Sequence, residues 1–307
     1  MAPLPPIRVT TGDPAADRRF AYAQGAWEDG DAAAAADLAE QTLELSPRFA
    51  PAHALLGRAR SALGDREGAV AALREALALD PEDPLGARLD LTRLGALPAG
   101  EALAPGYVRA LFDAYAPRFD AHLVGALAYR GPAVLMDVID RAAPGRRFAR
   151  ALDLGCGTGL MGEALRARVD HLAGCDLSPA MVEAARAKGI YDRLAAAELV
   201  AFLDAEPEAR ADLAVAADVL VYLGDLAPCL AAAARVLAPG GLLAFTVQDH
   251  PGDGFVLGED ARFAHGAGYL HGLASGHGFA AALDEAVSTR RDRGADVPGR
   301  VLVLARA

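Results

Sequence analysis

The run Asp153-Leu154-Gly155-Cys156-Gly157-Thr158-Gly159 sets three glycines at alternate positions, directly after the apolar Ala151-Leu152. Glycine permits a tight turn and lets a ligand come close to the main chain. A nicotinamide-type loop needs GxGxxG, which brings a pyrophosphate to a helix N-terminus. Here position 160 is Leu. The tighter GxGxG spacing suits a ligand without a pyrophosphate, such as an amino acid joined to adenosine. The alternative is a purely structural strand-to-helix turn.

Further along, Asp176 follows Gly159 by 17 residues, with Leu177 beside it. At the end of a second strand, a carboxylate can accept hydrogen bonds from both ribose hydroxyls. Ser178, directly before Pro179, is the better helix cap, which leaves Asp176 for a ligand. Glu198 and Leu199 close a third strand. There a carboxylate suits an adenine amino group and a leucine suits the ring face, or Glu198 simply complements a helix dipole. Ala217 and Asp218 follow a fourth strand, and Tyr222 stands just beyond. Tyr222, Gln248, Asp249, His250 and His265 are the candidates on the substrate side. His265 is the first choice for a base or substrate contact, with loop anchoring as its alternative. His265, His271 and His277 recur every six residues, a spacing that does not share a helix face, so no metal site is expected. Arg290-Arg291-Asp292-Arg293 reads as a polar hairpin turn, with carboxylate or phosphate binding as the other reading.

These residues need elements that hold them at one edge of a sheet. From Phe148 onward, short apolar runs alternate with helical stretches. Strands are expected over 149–154, 171–176, 194–197, 213–217 and 242–247, and helices over 159–168, 179–188, 199–205 and 226–237. That alternation predicts a doubly wound parallel sheet. Two last strands, 280–287 and 300–304, have no helix between them and predict an antiparallel hairpin at the edge.

The first 14 residues, rich in proline and small side chains, read as a loose arm. Beyond them lies a repeat. Gly30-Asp31 recurs as Gly64-Asp65, Ala35 as Ala69, Leu45 as Leu79 and Pro47 as Pro81, all at an offset of 34. This is the tetratricopeptide (TPR) period, with two helices per copy joined at the Gly-Asp turn and closed by the proline. A third helix near 84–94 would cap the stack. Residues 95–105 read as a linker, and 107–139 as helix broken at Gly131-Pro132.

Across 307 residues the net charge is −11 and the pI about 5.1, a balance that argues against a general nucleic-acid binder. Three cysteines without metal spacing suit a reducing compartment. No stretch is long and apolar enough to span a bilayer. The chain therefore reads as soluble and cytoplasmic.

Taken together, the Asp153–Gly159 loop, Asp176, Glu198 and Leu237-Ala238-Pro239-Gly240-Gly241 resemble the signature set of class I S-adenosylmethionine (SAM)-dependent methyltransferases. With the TPR pair, Phe112-Asp113-x-Tyr115-Ala116-x-x-Phe119-Asp120 and Arg262-Phe263-Ala264-His265, the chain resembles bacterial TPR-repeat-containing predicted methyltransferases. The class I methyltransferase resemblance covers roughly residues 107–307, and the TPR-containing resemblance the whole chain. It implies a seven-stranded sheet with a reversed final strand, and SAM as cofactor. It also places Tyr115 and Phe119 on a helical lid, whereas aromatics at i and i+4 are more often core. The loop after the fourth strand would lie beside the sulfonium. Glu198 stands where an aspartate is more usual.

The expected organisation is an arm over 1–14, TPR repeats over 15–98, a linker and helical lid over 99–145, and a methyltransferase domain over 146–307. The expected reaction moves a methyl group to an O, N or S acceptor of unknown identity, with a protein or peptide partner as a further expectation for the repeats. The competing expectation is a TPR binding module whose SAM-binding domain is regulatory or inactive.

Overall fold

The computed structural model describes residues 10–126, 129–292 and 294–307. The chain divides into two units, residues 1–111 and 112–307. The expected loose arm lies outside the described residues up to residue 9. From there the chain is pinned: Thr11 N donates to Asp17 at 2.7 Å, and Asp13 caps the first helix.

In the first unit, α1 (Pro14–Glu28) pairs with α2 (Ala32–Leu45), and α3 (Ala50–Ala62) with α4 (Arg66–Leu79). The Gly-Asp pairs explain both turns. Gly30 and Gly64 hold φ of 82° and 83°, the left-handed conformation that ends a helix. Asp31 and Asp65 then accept from Ala34 N and Gly68 N, each capping the following helix. A Cβ on Gly57 would stand 2.6 Å from Leu73 Cγ, so glycine is what lets α3 and α4 approach. A short α5 (Ala87–Arg93) follows.

The division between units falls inside α6 (Pro105–Tyr115). A π-helical turn, Ala121–Ala126, precedes α7 (Gly131–Ala142). The break expected at Gly131-Pro132 falls there: α7 starts at Gly131, and Pro132 sits in its first turn, where its missing N–H has no helical partner to lose.

The second unit is a twisted α/β sheet. In chain order come β1 (Phe148–Leu154), α8 (Leu160–Leu165), β2 (Val169–Asp176), α9 (Pro179–Ala187), β3 (Arg193–Ala196), α10 (Leu199–Ala205), β4 (Ala211–Ala216), α11 (Ala227–Val236) and β5 (Leu237–His250). After them follow β6 (Phe255–Leu257), β7 (Phe263–Gly266), α12 (Ala267–Gly276), β8 (Phe279–Ala286), β9 (Arg291–Asp292), β10 (Ala295–Asp296) and β11 (Gly299–Arg306). The main path runs β3-β2-β1-β4-β5-β11-β8. The first five strands are parallel, and β11 lies antiparallel between β5 and β8.

Because strand side chains alternate between faces, β11 feeds both cores. Val301 and Val303 join Phe148, Ile139 and Leu165 on one face, while Leu302 and Leu304 join Phe202, Leu230 and Phe245 on the other. The polar turn read at 290–293 joins β9 to β10, whereas Arg290 is buried and Arg293 lies outside the described residues. Besides the two-residue β9 and β10, two strands of the main sheet were not foreseen. β7 pairs in parallel with the far end of β5, and β6 pairs with β7. Their three- and four-residue lengths leave little periodicity to read. No helix among the described residues is long and apolar enough to cross a membrane.

Candidate functional site

The parallel strands end where β1, β2 and β4 deliver their loops, so the chemistry-bearing residues converge from three elements. At the β1 end, Gly155, Gly157 and Gly159 take φ of 68°, 52° and 94°. A Cβ on Gly155 would stand 2.3 Å from Val219 Cγ2, and one on Gly157 would reach 3.9 Å from the Phe119 ring. The main chain of this loop is therefore open toward Phe119 and closed behind. Cys156 faces inward: its N donates to Cys175 O at 2.8 Å, its thiol is buried, and burial pushes that thiol's pKa up. Thr158 is also turned away from solvent, and its hydroxyl hydrogen-bonds Asp120.

Asp153 is fully buried at the end of β1. Its Oδ2 accepts from the Tyr191 hydroxyl at 2.6 Å, and its Oδ1 is a buried oxygen with no hydrogen-bond partner among the described residues. Burial pushes its pKa up to about 7, against the Tyr191 hydrogen bond, with the Asp176 charge adding to the rise. Tyr191 occupies a slot made by three glycines on separate elements. A Cβ on Gly159, Gly162 or Gly174 would lie 3.2, 2.2 or 2.8 Å from its ring or hydroxyl. Tyr191 was not among the residues singled out from sequence, because those glycines meet only in the folded sheet.

Asp176 does not stand free. Its Oδ2 accepts from Gly157 N at 2.9 Å and its Oδ1 from Ser178 N at 2.9 Å. It braces the glycine loop while burial raises its pKa. Ser178 caps α9 as expected, accepting from Met181 N at 3.1 Å, and its hydroxyl donates to Asp113 at 2.5 Å. Leu177, beside Asp176, is half-buried. Glu198 caps α10, with Oε2 accepting from Ala201 N at 2.9 Å. Leu199 packs into the core around Phe202 and Leu203. The dipole alternative for Glu198 is thus realised in one of its oxygens, and Leu199 offers only an edge.

Above the glycine loop lies a chain of rings. Tyr115 meets Phe119 edge-on at 5.2 Å, Phe119 meets Phe112 at 6.2 Å, and Phe112 meets Tyr222 at 5.3 Å. Arg262 Nε donates to the Tyr222 hydroxyl at 3.3 Å. At the β4 end, Ala217 leads into Asp218, which holds φ of 54°. Asp218 accepts from the hydroxyls of Thr246 and Thr289, both at 2.8 Å. Tyr129 is half-buried, and desolvation raises its pKa, with the nearby Asp218 and Asp153 charges adding to the rise.

His265 lies on β7, fully buried, opposite Asp249 of β5. Its Nε2 lies 3.0 Å from both Leu223 O and Gly224 O, so Nε2 carries the proton and donates. The remaining nitrogen, Nδ1, is buried without a partner. Burial lowers its pKa, so the ring is neutral and anchors the loop that carries Tyr222. A base must reach the proton it removes, and this imidazole offers solvent no nitrogen. Gln248 and Asp249 are also engaged, with Asp260 at 2.9 Å and Arg300 at 3.0 Å respectively. His271 pairs instead with Asp284, at 2.7 Å.

Residues 152–245 match the family described as a methyltransferase domain, and residues 26–92 match a tetratricopeptide repeat. Human methyltransferase-like protein 27 is 37% identical over 141 residues, 45% of this chain and 56% of that protein. The ubiquinone biosynthesis O-methyltransferase of Hahella chejuensis is 35% identical over 127 residues, 38% of this chain and 50% of the enzyme. The chain spans about half the length of these curated relatives. Among solved structures, Burkholderia thailandensis 1,6-didemethyltoxoflavin-N1-methyltransferase gives a TM-score of 0.52 at 18% identity, covering 65% of this chain and 87% of that one. The [4+2]-cyclase SpnF gives 0.52 at 19% identity, covering 65% and 94%. The second unit thus has the class I methyltransferase fold, with its sheet reversed at β11 as expected. The chain joins that fold to a TPR pair.

Proposed function

We propose that the protein is a SAM-dependent methyltransferase, moving a methyl group to an O, N or S acceptor on a small-molecule, peptide or carrier-bound substrate. The observation that carries this reading is Asp153. A carboxylate oxygen buried without a donor costs about 1–3 kcal/mol, and it stands directly beneath a glycine loop whose main chain is open. A cationic amino group completes it, and SAM carries one. Asp153 would hold that group and Asp176 the ribose, with Gly155, Gly157 and Gly159 giving main-chain contact. Leu177, Glu198, Leu199, Ala217 and Asp218 would line the remainder, with Cys156 and Thr158 contributing through the backbone of the loop.

SAM, when bound, supplies an electrophilic methyl group on a sulfonium. What the chain must add is alignment of the acceptor and exclusion of water. Tyr115, Phe119, Phe112 and Tyr222 form the apolar wall that excludes water, and Tyr222 faces the acceptor side. His265 acts through the loop it anchors. The TPR pair is proposed to receive a protein or peptide partner. Three buried, unpaired cysteines support a reducing, cytoplasmic setting.

A second reading, a TPR binding module with a regulatory SAM-binding domain, draws support from the shared fold of a cyclase, since the fold alone does not fix a reaction. Two measurements separate the readings. Calorimetry with SAM should show binding to the wild type and severe weakening in Asp176→Ala; absence of wild-type binding would sink both. Labelled SAM incubated with fractionated cell extract should then mark an acceptor. Binding without transfer to any fraction favours the regulatory reading.

A further inference from the structure

Tyr191 stands on the connection between α9 and β3, and both of its neighbours in the chain are pinned. Arg166 Nη1 donates to Ile190 O at 3.1 Å and to Asp192 Oδ2 at 2.8 Å. Asp192 N donates to Leu172 O at 2.9 Å, and Asp192 Oδ2 accepts from Leu172 N at 2.7 Å. With its main chain fixed against β2, Tyr191 sends its side chain through the glycine slot to the end of β1.

The slot is cut for the hydroxyl as well as for the ring. A Cβ on Gly174 would meet the ring at 2.8 Å and one on Gly159 at 3.2 Å, whereas one on Gly162 would meet the hydroxyl oxygen at 2.2 Å. Gly162 lies inside α8, where glycine weakens a helix relative to alanine. The passage of the tyrosine tip accounts for it. The Gly162 main chain also hydrogen-bonds that hydroxyl. A tyrosine that only filled space would need no glycine opposite its oxygen.

The hydroxyl then fixes Asp153. Burial pushes its pKa up and the Asp153 charge adds to the rise, so Tyr191 keeps its proton and donates to Oδ2 at 2.6 Å. The last torsion of an aspartate is broad and roughly twofold, so this one bond sets where each oxygen lies. Oδ2 faces Tyr191, and Oδ1 is left buried with no partner among the described residues. Asp176 at the end of β2 and Cys156 in the glycine loop are the other titratable groups acting on the pair, and neither donates to Oδ1.

We propose that Tyr191 is a positioning residue for the cofactor: it holds Oδ2 of Asp153 so that Oδ1 meets the cationic amino group of the ligand, and thereby selects adenosine ligands that carry an amino acid over those that lack one. The identity of the ligand rests on the methyltransferase reading, and the role of Tyr191 on the slot.

The test is calorimetric titration of the full chain with S-adenosylhomocysteine and with methylthioadenosine, which shares the adenosine and the sulfur but has no amino acid. The wild type should prefer S-adenosylhomocysteine by at least about tenfold, the scale of a charged hydrogen bond. Tyr191→Phe should lose about tenfold for S-adenosylhomocysteine and stay within about twofold for methylthioadenosine. Gly162→Ala keeps the tyrosine but crowds its hydroxyl off Oδ2. It should show the same selective loss, and it carries the test should Tyr191→Phe fail to fold. An equal loss for both ligands marks a space-filling residue and overturns the proposal, as does a wild type without the preference. A wild type that binds neither ligand overturns the methyltransferase reading. A wild type with the preference, and variants that bind S-adenosylhomocysteine equally well, remove this inference alone.

Discussion

The two sides of the strand ends are finished to different degrees. Beneath the glycine loop, Asp153 keeps an oxygen that no donor among the described residues reaches; beside Tyr222, Arg290 is ion-paired with Asp218 at 3.8 Å and Asp260 at 3.7 Å. A fold seeking stability alone would close the carboxylate as well, because unmade buried hydrogen bonds cost free energy. The difference assigns the roles. The carboxylate side suits the cationic amino group and hydroxyls of a nucleoside-linked amino acid, and the arginine side holds its own wall together. The support around them differs as well. Tyr191 and three glycines fix Asp153 through close packing, whereas ion pairs and main-chain hydrogen bonds fix the segment that carries Arg290.

The largest effect should come from Gly155→Ala. The new Cβ meets Val219 at 2.3 Å, and φ of 68° strains any side chain. S-adenosylhomocysteine binding should fall by more than about a hundredfold, with a stability loss of about 3 kcal/mol in urea unfolding. Normal binding would mean that the loop is structural. Next, Asp176→Ala should weaken binding by about a hundredfold, since it removes both the proposed ribose contact and the brace on Gly157. Calorimetry reads it, and an unchanged affinity would refute the ribose role.

On the arginine side, His265→Ala should cost about 3 kcal/mol of stability while leaving S-adenosylhomocysteine affinity within about twofold. Its folded-state pKa is lowered from 6.5, so its contribution is present above that value. That contribution declines as pH falls below 6.5, where the unfolded chain gains a proton that the folded ring refuses. Thermal unfolding across pH in both proteins checks this; a pH-independent difference would deny the buried neutral ring.

Much of this was legible in the sequence, and the reason is locality. The 34-residue repeat, the glycine loop, Ser178 as a cap and the alternation of strand and helix are signals carried within a few residues or one period. The Gly-Asp turns were readable because one glycine and one aspartate do all the work of stopping and starting a helix. What stayed hidden was assembled from distant segments. The slot for Tyr191 draws on residues 159, 162 and 174, and the bed of Arg290 joins residues 130, 218, 260 and 289. The setting of His265 was not legible, because β7 is four residues long and leaves little periodicity to read.

The smallest substitution sharpens the comparison furthest. Tyr191→Phe removes one hydroxyl, the donor that lowers the pKa of Asp153, and should weaken S-adenosylhomocysteine binding by about tenfold. Without ligand, burial pushes the pKa of Asp153 up to about 7, well above the ordinary carboxylate value of 3.8. Its contribution to stability is therefore full below 3.8 and lost as pH rises through about 7. A cationic group on Oδ1 favours the ionised form and reverses that trend in the complex.

The central claim, that Asp153 waits for the amino group of SAM, is tested most directly by calorimetric titration of S-adenosylhomocysteine across pH in buffers of different ionisation heat. The account predicts that the wild type binds more tightly as pH rises through about 7 and releases a proton on binding. It also predicts that the midpoint moves upward in Tyr191→Phe. Failure of the wild type to bind at any pH, or binding whose affinity and proton count ignore both pH and Tyr191, would contradict it.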